Sequence, residues 1–328
     1  MDAVPESLIS ELRPKILERR TRLRAAAGSV SPDYIRDLLS EIDAALERID
    51  NGSYGLCESC RDPIEAGLLE RNPLARFCLD HLSEQDRKAH EQDLELAAQI
   101  QAKLLPSNAT RLNGWDTHYR YEPAGTVGGD YCELIVSDDG KSLFFAVGDV
   151  AGKGVAASLL MTHLSAILRS LLSLNLPLAE VMSRANRLFC DSTAAGHYAT
   201  LVCGRTSTEG VELCNAGHCS PLLLRQGAIE RLDSTGLPLG LFCDGRYTLT
   251  HSRLAEGDSL VLYSDGVTEA QDRNGDDYTE ERLIHSLRAH LGLGAQAMAD
   301  GVIRDVAQFR GALRPNDDMT LLIVRRLC

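Results

Sequence analysis

Four short patches carry aspartates through the long C-terminal part of the chain: VGGDY at Asp130, VGDVAGKG at Asp149, YSDGVTE at Asp265 and NDDMT at Asp317 and Asp318. Each is read as the end of an apolar, strand-like run, where a turn aims the carboxylate outward. A fold that holds all of them must bring strand tips from distant parts of the chain to one place. Carboxylates gathered in this way are hard oxygen ligands suited to magnesium or manganese. Two such ions side by side promote hydrolysis of phosphate esters.

The residues around these patches follow two different periods. From Trp115 onward, short β-rich runs (SLFFAVGD, YATLVCGRT, GVELCNAG, SPLLLRQG, DSLVLYSDG and MTLLIVRRL) are broken by turns. Helical blocks lie at about 154–175 and 178–194, and two more follow Thr279. Hairpin-like strands with segregated helices predict an α+β domain of antiparallel sheets. Ahead of Trp115 the period is helical. Residues 31–50 place Ile35, Leu38, Leu39, Ile42, Leu46 and Ile49 at helical spacing, with Ser31 as N-cap, Pro32 at the first helical position and Asn51-Gly52 as the stop. Leu8, Leu12 and Ile16 predict a partner helix in which Pro14 lies near the start or at a kink. The AAAGSVS turn makes the pair an antiparallel hairpin. A further helix ends at Pro106, and its Leu94, Ala97, Gln101 and Leu104 fit either a packed linker or a short coiled-coil seam with a second copy. The resulting division is 1–82, a helical hairpin plus finger; 83–106, a linker helix; and 107–328, the α+β domain.

A net charge of −13 argues against general affinity for nucleic acid or anionic membrane. The most apolar stretch, SLLMTHLSAILRSLLSLNL, is interrupted by polar residues, so no membrane span is expected. The N-terminus lacks an apolar signal region, which points to a cytoplasmic location. In that compartment the ten cysteines are expected to be thiols or metal ligands, with Cys132, Cys190 and Cys243 among the free thiols. Cys57 and Cys60 form one pair with two residues between them, and Cys78 and His81 form another, with 17 residues between the pairs. Two such pairs bind one tetrahedral, structural Zn2+, and four protein ligands leave no open position for water.

The stretch from EIDAALERIDNGSYGLCESC to FCLDHL resembles the DksA/TraR zinc-finger family, over roughly the first quarter of the chain. In that family the module lets its parent act on RNA polymerase. Here His81 replaces the usual final cysteine, and the hairpin tip lacks the family's paired aspartates. The resemblance therefore implies a regulatory or dimerising module, open to an upstream regulator, more than a polymerase effector. A homodimer through the hairpin or linker helix is expected.

From about Gln99 to the C-terminus the chain resembles the SpoIIE/RsbU branch of the metal-dependent PPM serine/threonine phosphatases. IQAKLLP, GGDY, GDVAGKGVAASLLM, NAGH at Asn215 to His218, STGLPLG, YSDGVTEA and DDMT occur in the family's order. The resemblance implies an α/β/β/α sandwich of two antiparallel sheets with two Mn2+ or Mg2+ ions at one edge. Carried over, Asp149 bridges both ions and the Val150 carbonyl completes one of them. Asp130 acts directly or through water, and Asp265 with one of Asp317 and Asp318 holds the other ion. The implied reaction is attack of an activated water on phosphoserine or phosphothreonine. The implied substrate is a phosphorylated anti-anti-sigma-type regulator in bacterial partner switching. Ala151 stands where the wider superfamily often has a histidine, as is usual in this branch.

Other residues near the motifs carry weaker expectations. Glu133 and Glu269 are read as exposed turn carboxylates or supports for the centre, His218 as orienting more than as an acid, and Lys153 as either solvated or a phosphate contact. Cys219 and Arg225 frame the spacing of a cysteine-dependent phosphatase, but Pro221 lacks the N–H that a phosphate cradle needs. GDVAGKG is one residue short of a nucleotide-binding P-loop and has Gly154 in place of its Ser or Thr. A reading from a different class is a zinc-finger transcriptional regulator whose C-terminal domain is a catalytically inactive platform for partners. Against it, an inactive domain has no need of neighbouring carboxylates that repel one another without cations.

Overall fold

The computed structural model describes residues 5–26, 32–81, 84–194 and 196–327. The chain divides into two compact units, Met1–Asp93 and Leu94–Cys328. The expected Ser31 cap, the Gly28 turn and Ser83 lie outside the described residues. In the first unit, α1 (Glu6–Ala26) and α2 (Pro32–Asp50) precede a short α3 (Ala66–Arg71) and a single 3-10 turn, Leu79–His81. Leu12 and Ile16 of α1 join Ile42, Ala45 and Leu46 of α2 in one core with Tyr54, Ile64, Leu68 and Leu69. Pro14 lies inside α1, within the helix. Gly52, at φ +76°, ends α2 as the sequence requires. The Arg48 guanidinium then donates to the Leu74 and Ala75 carbonyls, tying α2 to the second half of the finger.

The division between units falls within α4 (Glu84–Leu104). The second unit continues through β1 (Ala109–Leu112), β2 (Trp115–Glu122), β3 (Asp130–Val136), β4 (Leu143–Val150), α5 (Gly154–Leu172) and α6 (Leu178–Ser192). Next come β5 (Ala199–Thr206), β6 (Gly210–Ala216), β7 (Leu222–Arg225), β8 (Ala228–Arg231), β9 (Thr250–Arg253) and β10 (Ser259–Tyr263). The chain ends with α7 (Asp265–Thr268), α8 (Thr279–Ala289), α9 (Ala295–Arg310) and β11 (Met319–Arg326).

All strand pairings in the two sheets are antiparallel; the orders are β1-β2-β11-β10-β7-β8 and β3-β4-β5-β6-β9. Strand parity sorts side chains into layers. Leu260, Leu262, Leu322 and Val324 meet Phe145, Val147 and Val202 between the sheets. Their neighbours Val261, Tyr263, Leu321 and Ile323 face Leu283, Met298 and Val302 of α8 and α9. On the opposite outer face, α5 and α6 cover the five-stranded sheet through Met161, Leu164, Leu168, Val181 and Phe189. Strands buried on both faces need unbroken apolar runs, which is why the sequence shows little alternation there. By length and composition α5 is apolar enough to cross a membrane, yet Ala157, Met161, Leu164 and Leu168 pack into this core.

Candidate active site

The aspartates meet at one edge of the sandwich. Asp130 and Asp149 are direct cross-strand partners in the β3–β4 ladder, and Asp149 in turn faces Thr200 of β5. Asp265 opens α7 straight after β10, and Asp317 and Asp318 immediately precede β11. One expectation is corrected here. Asp149 and Asp265 follow or end strands, whereas Asp130 and the Asp317-Asp318 pair stand at strand starts. Antiparallel neighbours run in opposite directions, so one sheet edge collects the ends of some strands and the starts of others.

Asp130 is buried, and its Oδ2 accepts hydrogen bonds from Ser264 Oγ (2.7 Å) and Thr320 Oγ1 (2.6 Å). Thr320 lies in β11 of the other sheet and Ser264 directly follows its β10, so this carboxylate stitches the two sheets at the site. Ser264 Oγ also accepts from the Thr320 amide at 2.9 Å. Asp318 is equally committed: its Oδ1 takes the Ala124 N–H (2.8 Å) and its Oδ2 the Gly129 N–H (2.6 Å). Asp317 is different. It is partly exposed, and its Oδ2 lies 2.9 Å from Lys153 Nζ. Lys153 also donates to the Asn316 carbonyl at 3.1 Å. Of the two adjacent aspartates, Asp318 braces the loops and Asp317 faces the cluster.

The glycines before Asp130 act by close approach, and neither is among the positive-φ residues. A Cβ on Gly128 would fall on the Tyr121 hydroxyl and Asp318 Oδ2; one on Gly129 would lie 3.2 Å from the Val150 carbonyl oxygen and 3.4 Å from Asp149 Oδ1. The bare backbone leaves those two oxygens uncovered. Gly128→Ala is expected to cost about 2 kcal/mol by overpacking, read as a lower melting temperature; an unchanged melt would show that this turn yields freely.

Burial pushes Asp149 up to about 7, with further contributions from Asp265, Asp317 and Asp318. Burial also raises Asp265, with Asp317 adding to it. Burial raises Asp130 well above the ordinary range despite its two hydroxyl donors, and Asp149 adds to the rise. The cluster therefore has unmet affinity for positive charge.

Several supports were missed or misplaced by sequence reasoning. Gln101 is buried, and its amide closes a two-way clamp on Gly128, donating to the carbonyl (2.7 Å) and accepting from the amide (3.1 Å). It serves its own domain and is not a seam position. Glu133 is no turn carboxylate: it is buried on β3 and receives Arg169 Nε at 2.6 Å and Nη2 at 3.0 Å. Glu269 is exposed, as expected. His218 is buried, pushed down to about 4 by that burial, and its Nδ1 lies 2.8 Å from Thr200 Oγ1. Burial thus favours its neutral form. Burial pushes Cys219 up to about 12, which leaves it a poor nucleophile.

The family model of stage II sporulation protein E matches residues 139–327, more than half of the chain. The chain belongs to the SpoIIE family. This places the α+β unit among the PPM-type serine/threonine phosphatases. The phosphoserine phosphatase RsbU of Bacillus subtilis is 28% identical over 239 residues, which cover 71% of this chain and 70% of RsbU. Among solved structures, the RsbU and RsbW domains of a Mycobacterium tuberculosis protein superpose with a TM-score of 0.57 at 27% identity, covering 66% of this chain and 61% of that one. At the N-terminus, the RNA polymerase-binding transcription factor DksA of Caulobacter vibrioides is 36% identical over 74 residues, which are 23% of this chain and 45% of DksA.

A second cluster lies in the N-terminal unit. Ligand atoms of Cys57, Cys60, Cys78 and His81 all lie within 4.8 Å of one another. Cys60 Sγ is 3.8 Å from Cys78 Sγ, and Cys78 Sγ is 3.2 Å from His81 Nδ1. Although burial opposes it, the Cys60, Cys78 and Ser59 amides hold the Cys57 thiol down to about 6. Three sulfurs and one imidazole at these separations fit a tetrahedral metal ion.

Proposed function

We propose that residues 107–328 are a metal-dependent phosphoserine/phosphothreonine protein phosphatase, joined by a linker helix, 83–106, to a zinc-finger module, 1–82. The observation that carries this reading is the meeting of Asp149, Asp265 and Asp317 at one edge, beside a Val150 carbonyl that Gly129 leaves open. This all-oxygen, carboxylate-rich donor set fits Mn2+ or Mg2+. Asp149 would bridge two ions, Val150 O would complete one, and Asp265 and Asp317 would hold the other. Asp130, with one oxygen spent on Ser264 and Thr320, would act through water. Bound ions supply Lewis acidity toward the phosphoryl oxygens and lower the pKa of a bound water.

The chain's own residues do the positioning. Asp318 and Gln101 fix the Gly128-Gly129 turn, so the Asp149 and Val150 oxygens stay uncovered. Burial keeps His218 neutral, Thr200 fixes its ring through the Nδ1 contact, and Lys153 at the exposed rim offers a positive charge to an incoming phosphate. No side-chain nucleophile is needed. The substrate proposed is a phosphorylated anti-anti-sigma-type protein, for which the likeness to RsbU is the support. In the N-terminal module, Cys57, Cys60, Cys78 and His81 would hold one Zn2+, and the module is proposed to dimerise and to receive the upstream signal.

Manganese-dependent phosphate release from a phosphoserine protein tests the reading; full activity in metal-free buffer would overturn it. The two adjacent aspartates are expected to separate. Asp317→Asn raises the manganese requirement with little change in melting, because Asp317 is half-exposed. Asp318→Asn points an amide at a backbone N–H and is expected to lose about 2 kcal/mol of stability, seen by chemical denaturation. Identical behaviour of the two variants would refute this division of roles.

A further inference from the structure

We propose that Cys190 and Cys243 form a reversible thiol–disulfide switch that tightens the 236–243 strap against the catalytic edge. Both were expected to be free thiols, but the structure joins them, with Cα atoms 5.6 Å apart. That separation lets a disulfide form without backbone movement. Cys190, in the last turn of α6, is partly exposed and Cys243 is exposed, so small reagents reach both. Among the described residues the other cysteines are less available. Cys132, Cys203 and Cys214 are buried, Cys57, Cys60 and Cys78 share the metal cluster, and Cys219 is pushed up by burial.

Contacts that do not involve the sulfurs also seat the strap and would keep the two thiols within reach. One turn before Cys190, Asn186 Nδ2 donates to the Phe242 carbonyl (2.8 Å) and Asn186 Oδ1 accepts from the Gly240 amide (2.9 Å). Gly240 has φ +85°, and a Cβ there would lie 2.7 Å from the His197 carbonyl. Leu239 and Ala199 exchange backbone hydrogen bonds at 2.8 and 2.9 Å. Ala199 faces Val150 in the ladder, and the Tyr198 carbonyl accepts from the Ala151 amide at 2.9 Å. A continuous set of backbone contacts thus runs from the cysteine pair to the residues following Asp149.

Oxidation by a small-molecule disulfide balances as exchange. The Cys243 thiolate attacks the reagent and expels one thiol; the Cys190 thiolate then attacks the mixed disulfide and expels the second. The two protein protons leave with the two released thiols, and the reagent takes up two electrons. Thiol reductants run the sequence backwards.

The effects on catalysis and on Mn2+ binding rest on the proposed function; the switch itself is read without it. The zinc-loaded full chain would be equilibrated with oxidised glutathione or dithiothreitol and compared with Cys190→Ser/Cys243→Ser. Peptide mapping is expected to find the Cys190–Cys243 cross-link only after oxidation. The oxidised wild type is expected to melt ~3 °C or more above the reduced form and to bind Mn2+ about threefold or more tightly by calorimetry. The double variant should show neither shift. No cross-link, or equal shifts in the double variant, overturns the switch, and equal Mn2+ affinity in both redox states overturns the coupling. A switch that behaves as expected in a protein that releases no phosphate would leave the inference standing and remove the phosphatase reading.

Discussion

Asp149→Asn is expected to abolish manganese-dependent phosphate release while making the metal-free protein more stable. Asp149 is the partly buried member of the cluster that faces Asp130 and feels Asp265, Asp317 and Asp318. As the residue proposed to bridge both ions, its loss removes several kcal/mol of transition-state stabilisation, on the order of 10³-fold or more in rate. The stability effect has the opposite sign. In the folded chain burial and then the neighbouring carboxylates raise Asp149 to about 7 from an ordinary 3.8. A raised folded value means folding disfavours the charged form. Its contribution is fully present below the unfolded value and is lost as pH rises through about 7. Each unit corresponds to about 1.4 kcal/mol; discounted for partial exposure, the cost above pH 7 is on the order of 2 kcal/mol. Asparagine does not titrate. The metal-free variant should therefore melt ~4–8 °C above wild type at pH 8, and the difference should vanish near pH 4. Added Mn2+ should close the gap by stabilising the wild type alone. A variant that melts lower than wild type at pH 8 without metal would show that Asp149 is paired in some way the cluster does not reveal.

The sandwich was legible because its central strands are buried on both faces, so the LVLY of DSLVLYSDG and the LLIV of MTLLIVRRL run apolar at consecutive positions instead of alternating. The aspartates were legible as a set because each sits beside such a run. Their direction relative to the strands was not, since an apolar neighbourhood does not say whether the chain is entering or leaving a sheet. Nor could Asp317 and Asp318 be told apart. They are identical in type and adjacent, and only the Ala124 and Gly129 amides, far away in sequence, claim Asp318. Ser264 and Thr320 lay inside the recognised motifs, yet nothing local showed that both hydroxyls serve Asp130. For Gln101 the spacing left a packed linker and a seam equally open, because helical spacing reports which face is shared and not what covers it; its partner, Gly128, lies beyond the end of the helix. The Cys190–Cys243 pair spans 53 residues with no local signal, and compartment alone argued for free thiols.

Removing the metal from the N-terminal cluster is expected to unfold that unit and leave the catalytic one standing. Cys57 and Cys78 are themselves core residues, packed with Leu12, Ile42, Ile64 and Leu69. The finger beyond α2 has only the short helix α3 and one 3-10 turn as regular structure, so little else fixes its loops. Structural zinc contributes about 10–16 kcal/mol in isolated finger peptides, more than the whole stability of most small domains. Chelation, or Cys78→Ser, should therefore erase the α1 and α2 share of the helical circular-dichroism signal and the early part of the melting curve. The transition of residues 94–328, with their own three core clusters, should stay in place. His81 gives a graded test, because it is the exposed member of the set and its Nδ1 approaches Cys78 Sγ. His81→Cys keeps four zinc-competent ligands and should fold normally, while His81→Ala opens one position to water and should bind zinc more weakly without losing it. A chain that retains its full helical signal in the presence of a strong chelator would remove the zinc assignment, since the hairpin and finger would then be held by their apolar contacts alone.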